Sequence, residues 1–497
     1  MKLNSVKFKL FALFLFLFAN SVWAATWYVR PASGEYGAED GTSYDTAFDG
    51  FADVIWGVSG VNAGDTLCVY GTFVGATESD VSGITLRVDQ SGTDSSTLVT
   101  VDGDCDGDGI KAELDGNNEV AIGIRTAIAS VSQTTYTLVK NIVLRQYTNK
   151  AIVTYNVTAD SASDAYQTWD EIEVYDHGDG GVGDNGIDSR GRYITITNSY
   201  FEGIDEDAVY HNGKYFRADN ITVRDFSRAT TGGDGIQLAG EVDGYWVSNF
   251  DCIHKYDTKQ CFIVSAATDT GANGVFEDFR AECKLGAGTT NCIYVTGDGA
   301  KIRRGEIIGG YYGVAVEGSV DSVNMTIENI IQRSATRDGL AVFTGAGLNN
   351  VVKNTVMHGN GRHGIFLSNS NAGTIINNIT TSNASCGINR GIVGHIESYN
   401  NSYGNVTNFC IGTETTAGTG SISVDPLYVG GASPVSANGF RLKPTSSACN
   451  AGSYTGTLKD YWERRVDVLN PSIGPTDCNA EYNLDIYTTR TEILTRE

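Results

Sequence analysis

Asp207-Ala-Val-Tyr-His211, Asp234-Gly-Ile-Gln-Leu238 and Gln260-Cys-Phe-Ile-Val264 repeat one five-residue pattern along the chain. The pattern extends back to Asn185-Gly-Ile-Asp-Ser189. It runs forward through Asn291-Cys-Ile-Tyr-Val295, Tyr312-Gly-Val-Ala-Val316, Asp338-Gly-Leu-Ala-Val342 and His363-Gly-Ile-Phe-Leu367. The third position is always apolar and the fifth nearly so. A recurrence at about 20–30 residues marks a solenoid, in which each coil needs only its neighbours. Strand side chains alternate faces, so the third and fifth positions are expected inside the coil. The second, the fourth and the residue just before the segment are expected outside. The fold predicted is all-β: a right-handed parallel β-helix with an N-terminal cap and a short C-terminal closing segment.

A second column supports the register. Asn198, Asn220, Asn249, Asn329, Asn354 and Asn378 recur after a following strand, where stacked amides bond from coil to coil. The cysteines give a third check. Cys252 and Cys261 are nine residues apart, as are Cys283 and Cys292. Strands of adjacent coils lie about 4.8 Å apart, within disulfide reach. The expected bridges are therefore Cys252–Cys283 and Cys261–Cys292, with Cys68–Cys105, Cys386–Cys410 and Cys449–Cys478 as the simplest remaining pairs.

Residues 1–24 have the form of an export signal: Lys2, Lys7 and Lys9, the apolar run Leu10 to Phe18, and a small-residue cleavage site at Val22-Trp23-Ala24. The apolar run is too short to span a bilayer. With ten Cys, the mature chain is expected to be secreted, extracellular or periplasmic. The β-helix with its cap is assigned to 25–440 and the closing segment and tail to 441–497. The coil starting at Asp65 is expected to be the first, and Asp425-Pro-Leu-Tyr428 is expected to close the far end. A formal net charge of −24 argues against nucleic acid or an anionic membrane as partner. A single chain acting on an extended polysaccharide is expected.

The opening Trp27-Tyr-Val-Arg30, the Gly41-Thr-Ser43 turn, Ala63-Gly-Asp-Thr66 and the closing Asp425-Pro-Leu-Tyr428 resemble secreted bacterial β-helix proteins of the pectin-lyase-like superfamily. That resemblance implies the fold and, in most members with an activity, cleavage or epimerisation of polysaccharides. Others are adhesins or surface proteins.

Polar residues gather on the coils from about 184 to 263. Asp184 and Glu206 precede their segments on adjacent coils, Asp207 and Asp234 open neighbouring segments, and Asp188 lies in the outward fourth column. Paired carboxylates are what glycoside hydrolysis requires, one as acid and one as nucleophile or base. Glu206 and Asp207 are the leading catalytic candidates, with Asp184, Asp188 and Asp234 in support. The segments Asn185-Gly-Ile-Asp188 and Asp205-Glu-Asp-Ala-Val209 resemble the acidic motifs of polygalacturonase-type glycosidases. They differ at Asn185, at Glu206-Asp207 and at Asp234, and no Arg-Ile-Lys motif follows.

The alternative reaction is β-elimination on a uronate. Asp184, Asp207 and Asp234 would then hold Ca²⁺, Lys259 would act as base, and His254, Tyr210 or Tyr294 would donate the proton. Substrate contacts are expected from Tyr210, Gln237, His254, Tyr294 and Arg337. A non-enzymatic carbohydrate-binding surface protein is the third possibility. Asp and Asn at such turns also bond to nearby backbone, which gives Asp207, Asp234 and Asp338 a structural reading, and His211 should point inward. Separately, Asp102, Asp104 and Asp106 with Glu113 match the spacing of a calcium loop.

Overall fold

A computed structural model describes residues 24–478, apart from 82, 129–131, 156–162, 182, 229–231, 241, 255–258, 267–272, 285–289, 317–323, 344–348, 369–372, 392–393 and 412–414. Residues 1–23 of the expected export signal and residues 479–497 of the tail lie outside the described residues. Among the described residues the strands form a 20-stranded sheet, a 13-stranded sheet and one small hairpin. The helical segments are short 3-10 turns, and no helix is long and apolar enough to cross a membrane. The pairings that stack the coils are parallel, as between Ile187–Arg190 and Val209–Asn212 or between Val209–Asn212 and Ile236–Gly240. The chain is a parallel β-helix.

Each coil crosses the short sheet once and then runs along the long one. One apolar core from Val29 to Phe409 fills the interior. At the N-terminus, Thr26–Arg30 pairs with Thr66–Val69, and Phe51 lies on Phe73 with ring centroids 4.2 Å apart.

Within the long sheet the backbone turns at Asn198, Asn220, Asn249, Asn329, Asn354 and Asn377, each at φ between 49° and 58°. Asparagine tolerates this left-handed region because its short amide bonds locally. The last turn residue is thus Asn377 and not Asn378, and both are buried. The amides do link coils: Asn220 Nδ2 donates to Asn198 Oδ1 at 2.8 Å. That corner is exposed at Asn198 and Asn220, whereas Asn378 Nδ2 donates to Asn400 Oδ1 at 3.1 Å in a buried ladder.

Two other expectations are corrected. The second segment position faces inward: Ala208, Cys261 and Cys292 are fully buried. A turn enters each short-sheet strand there, so two successive residues point into the coil and simple alternation fails. For the same reason the bridges are Cys252–Cys261 and Cys283–Cys292, within coils, with Cα separations of 5.9 and 5.6 Å. Cys252 ends a long-sheet strand and Cys261 begins the next short-sheet strand, and both sulfurs meet across that corner. Neighbouring coils bring Cys283 and Cys261 only to an Sγ···Sγ contact of 3.6 Å. Cys68–Cys105, Cys386–Cys410 and Cys449–Cys478 complete five bridges among the described residues. That number fits an oxidising, extracytoplasmic compartment.

The segment after Cys410 lies along the flank of the helix. Tyr428, Phe440, Leu442, Ala448 and Ile473 pack on Ile331, Val356 and Ile379 of the long sheet's outer face. Asn354 Nδ2 donates to Thr457 Oγ1 at 3.0 Å, and Asn329 Nδ2 to the Lys459 carbonyl at 3.0 Å. Asp425–Tyr428 therefore begins a flank cover, because these coils present apolar residues outward.

Candidate functional site

The first segment position forms a buried ladder. Asn185 Oδ1 accepts from the Asp207 N–H at 3.2 Å, Asp207 Oδ1 from the Asp234 N–H at 2.6 Å, and Asp234 Oδ1 from the Gln260 N–H at 2.8 Å. Far from this cluster, Asp338 Oδ1 accepts from the His363 N–H at 3.0 Å in the same way. The column thus closes backbone hydrogen bonds between coils, whatever else it does. Asp207 and Asp234 are almost fully buried, 4% and 1% exposed. Burial is the main cause that pushes both carboxyls up, Asp234 to about 7 and Asp207 well above the usual range, and neighbouring Glu206 adds to it in each case. Lys259 works against the shift in both.

Glu206 and Lys259 occupy one column, the residue before each segment. Glu206 N–H donates to the Asp184 carbonyl at 3.3 Å. A Cβ on Gly233 would stand 1.9 Å from the Glu206 carbonyl carbon, and one on Gly232 would stand 2.5 Å from Lys259 Cε. Gly233 lets its coil approach the Glu206 backbone, and Gly232 leaves room for the Lys259 side chain. Glu206 is half-buried, with Oε2 held by the Gly183 N–H. Asp184 is buried and accepts from the Gly181 N–H at 2.6 Å and the Asp179 N–H at 3.2 Å. Of the four carboxyls Asp184, Glu206, Asp207 and Asp234, Glu206 alone reaches solvent appreciably.

The outward fourth column runs Val153, Asp188, Tyr210, Gln237, Ile263, Tyr294, Ala315, Ala341 and Phe366. Asp188 is the polar centre of its N-terminal half. Its Oδ2 accepts from the Tyr155 hydroxyl at 2.6 Å and lies 3.7 Å from Lys150 Nζ. Arg190 covers the Tyr155 ring at 4.1 Å. Burial raises the Asp188 carboxyl against the opposing pull of Tyr155, Lys150 and Arg190. Lys150 Nζ also donates to the Gly183 carbonyl at 2.9 Å, so one residue, Gly183, links the Asp188 group to Glu206.

Lys150, Tyr155 and Arg190 were not anticipated. The Lys150–Val153 strand is 35 residues ahead of its partner, because a long strand and turn intervene and disguise the period. A Lys and a Tyr flanking Ala-Ile-Val were the available signal.

The remaining candidates separate. Tyr210 and Gln237 line the outward column beside Asp188, both half-buried. His254 points inward, 2% exposed and packed against Phe226 at 4.4 Å, so it does not meet a substrate on the short sheet. His211 is also interior, 2.9 Å from Ser189 Oγ, and burial lowers it to about 3. Tyr294 and Arg337 lie further along the short-sheet face. The calcium set is not assembled as anticipated. Asp102 binds Lys140 at 2.9 Å and Glu113 binds Arg145 at 2.8 Å. Asp104 and Asp106 stand instead with Asp108 in an exposed turn, where each accepts from a nearby backbone N–H. Asp207 and Asp234, the alternative calcium ligands, each have one oxygen committed to the ladder.

No protein-family model matches the chain, and no curated protein sequence does. Among solved structures it is similar to XylC in complex with xylose, with 9% identity over 90% of this chain and 98% of that one, at a TM-score of 0.46. The periplasmic alginate epimerase AlgG gives 11% identity over 73% and 79%, at 0.42. The pectate lyase Pel9A gives 13% over 92% and 97%, at 0.37. At these values the likeness carries no argument about individual residues or activity. The parallel β-helix rests on the chain's own strand pairing.

Proposed function

We propose that the chain is an extracytoplasmic carbohydrate-active enzyme. In this reading it cleaves glycosidic bonds of an acidic polysaccharide laid along the outer face of the short sheet. The observation that carries this reading is the pairing of two carboxyls in unlike surroundings through Lys150 and Gly183. Asp188 is buried, holds the Tyr155 hydroxyl and keeps its proton more readily than a free carboxyl. Glu206 is half-exposed on the next coil, beside two buried carboxyls. A buried carboxyl that holds its proton suits the general acid, and a carboxyl that reaches solvent suits the base or nucleophile. Asp207 and Asp234 serve as positioning residues beneath Glu206, and Lys259 tempers their charge.

Elimination is the second reading, and Tyr155 is the observation in its favour. A tyrosine hydroxyl flanked by Asp188, Lys150 and Arg190 offers a proton-moving group beside two cations, which a uronate carboxylate needs.

The test is incubation with polyuronates and sulfated polysaccharides, with new reducing ends and ultraviolet absorbance of a conjugated double bond followed together. Hydrolysis is expected to give reducing ends without the absorbance. Both signals rising together would replace hydrolysis with elimination. Neither signal on any polymer, despite binding, would leave a carbohydrate-binding protein.

A further inference from the structure

The column that holds Glu206 and Lys259 continues into a basic and aromatic stretch. Tyr311 N–H donates to the Thr290 carbonyl at 2.6 Å, Arg337 N–H to the Tyr311 carbonyl at 2.9 Å, and Arg362 N–H to the Arg337 carbonyl at 2.6 Å. One edge of the short sheet thus runs from Asp184 and Glu206 through Lys259 to Tyr311, Arg337 and Arg362. Its sign changes from acidic to basic along the axis, in a chain whose net charge is −24.

Beside this edge the fourth column passes through Ala315 and Ala341, and aromatic rings from adjoining positions pack against them. Tyr311 meets Tyr312 edge-on at 4.8 Å, and Tyr312 meets Phe343 edge-on at 5.0 Å. The Arg337 guanidinium lies 5.5 Å from the Tyr311 ring and 5.3 Å from the Tyr312 ring, and it donates to the Tyr311 hydroxyl at 3.1 Å. Arg362 is committed to Asp338. Among the described residues Arg337 forms no ion pair with a carboxylate. It is a half-buried cation held by aromatic groups and free to take an anion.

We propose that Tyr311, Tyr312, Phe343 and Arg337 form a subsite for anionic sugar units. The half-buried rings of Tyr311 and Phe343 would receive the apolar face of a sugar, with the buried Tyr312 packed beneath them, and Arg337 its carboxylate or sulfate. Five coil steps separate Asp188 from Ala315 and six separate it from Ala341, about 24 to 29 Å at the strand spacing, so the subsite binds units several residues from the cleaved bond. It deepens the proposed function, on which it rests for the direction in which the polymer runs. The acidic end of the edge repels the polymer except where the reaction holds it, and the basic end anchors it.

The experiment measures binding of polygalacturonate, a sulfated galactan and neutral galactan to the full chain carrying Glu206→Gln, with and without Arg337→Ala. Turnover is measured in the Glu206 background. Arg337→Ala is expected to weaken both anionic polymers about tenfold, as losing one charge-assisted contact does, and to leave the neutral one unchanged. Weakening of polygalacturonate alone assigns the site to uronates, and of the sulfated galactan alone to sulfate esters. Arg337→Lys, which keeps the charge, is expected to recover part of the loss. Unchanged binding of both anionic polymers, in a variant that melts like its parent, overturns the subsite. If turnover persists with unchanged KM in that variant, the reaction stands and only the subsite falls. Arginine-dependent retention without turnover on any polymer leaves the subsite and removes the reaction.

Discussion

Asp234 sits directly beside Asp207 in the stack, and its backbone N–H donates to Asp207 Oδ1 at 2.6 Å. The aspartates proposed to support Glu206 are therefore also the rungs that tie successive coils together. Their two roles are separable, because only the acceptor oxygen is needed for the rung.

Asp234→Asn keeps the acceptor and removes the buried charge, whereas Asp234→Ala leaves the Gln260 N–H without its partner. The alanine variant is expected to lose about 1–3 kcal/mol. The pH dependence follows from a carboxyl raised from 3.8 to about 7 in the fold. The native state then binds the proton more tightly than the unfolded chain. Its contribution to stability is complete below the unfolded value of 3.8 and is lost as pH rises towards about 7. Wild type should therefore fall behind Asp234→Asn between pH 4 and 8 in denaturant titrations. A gap that does not widen with pH over that window would contradict the burial of this carboxyl.

Non-reducing peptide mapping should recover Cys252 linked to Cys261 and Cys283 linked to Cys292. Replacing both Cys252 and Cys261 by Ser is expected to cost about 2–3 kcal/mol, the value for a short closed loop. A Cys252–Cys283 peptide would show that adjacent coils, and not the two sheets of one coil, are joined.

Tyr136, Tyr166, Tyr193 and Tyr215 stack with centroids 4.7, 4.5 and 4.9 Å apart, all at positive φ. Tyrosine is strained in that region where asparagine is not. Even so, Tyr193→Asn is expected to destabilise by about 1–2 kcal/mol, since it breaks two ring contacts at once. Thermal melts decide it. A stabilised variant would mean that backbone strain outweighs the stacking.

Tyr155→Phe separates the two reactions proposed for the site. The ring stays under Arg190 and only the hydroxyl held by Asp188 is lost. Hydrolysis should fall less than tenfold, because Asp188 remains. Elimination through Tyr155 would fall about a hundredfold or more, as read from initial rates.

The stacking register was legible in the sequence because an apolar third position is obligatory in every coil, and Ile187, Val209, Ile236 and Phe262 mark it without ambiguity. The inward second position was not legible, since small residues such as Gly186 and Ala208 are compatible with either face. That single parity at Cys261 and Cys292 also misdirected the disulfides. Glu206 and Lys259 fell on one side as expected, because equal offsets from the repeat place residues in one column. Lys150 and Tyr155 escaped notice because an intervening strand of 14 residues, Asp164–His177, lengthens their coil and disguises the period. The flank cover by residues 425–478 was hidden for another reason. Ile331, Val356 and Ile379 look like ordinary strand residues until the sheet face they occupy is known.

The most direct test is the rate of glycosidic bond cleavage by Glu206→Gln on the polymer that wild type degrades fastest. The amide keeps the hydrogen bond to the Gly183 N–H and the shape of the column, but it cannot move a proton. A fall of about a hundredfold or more in kcat, with the polymer still bound and the melting curve unchanged, is the result expected. A variant that cleaves at the wild-type rate would show that the chemistry, if any, lies away from Glu206.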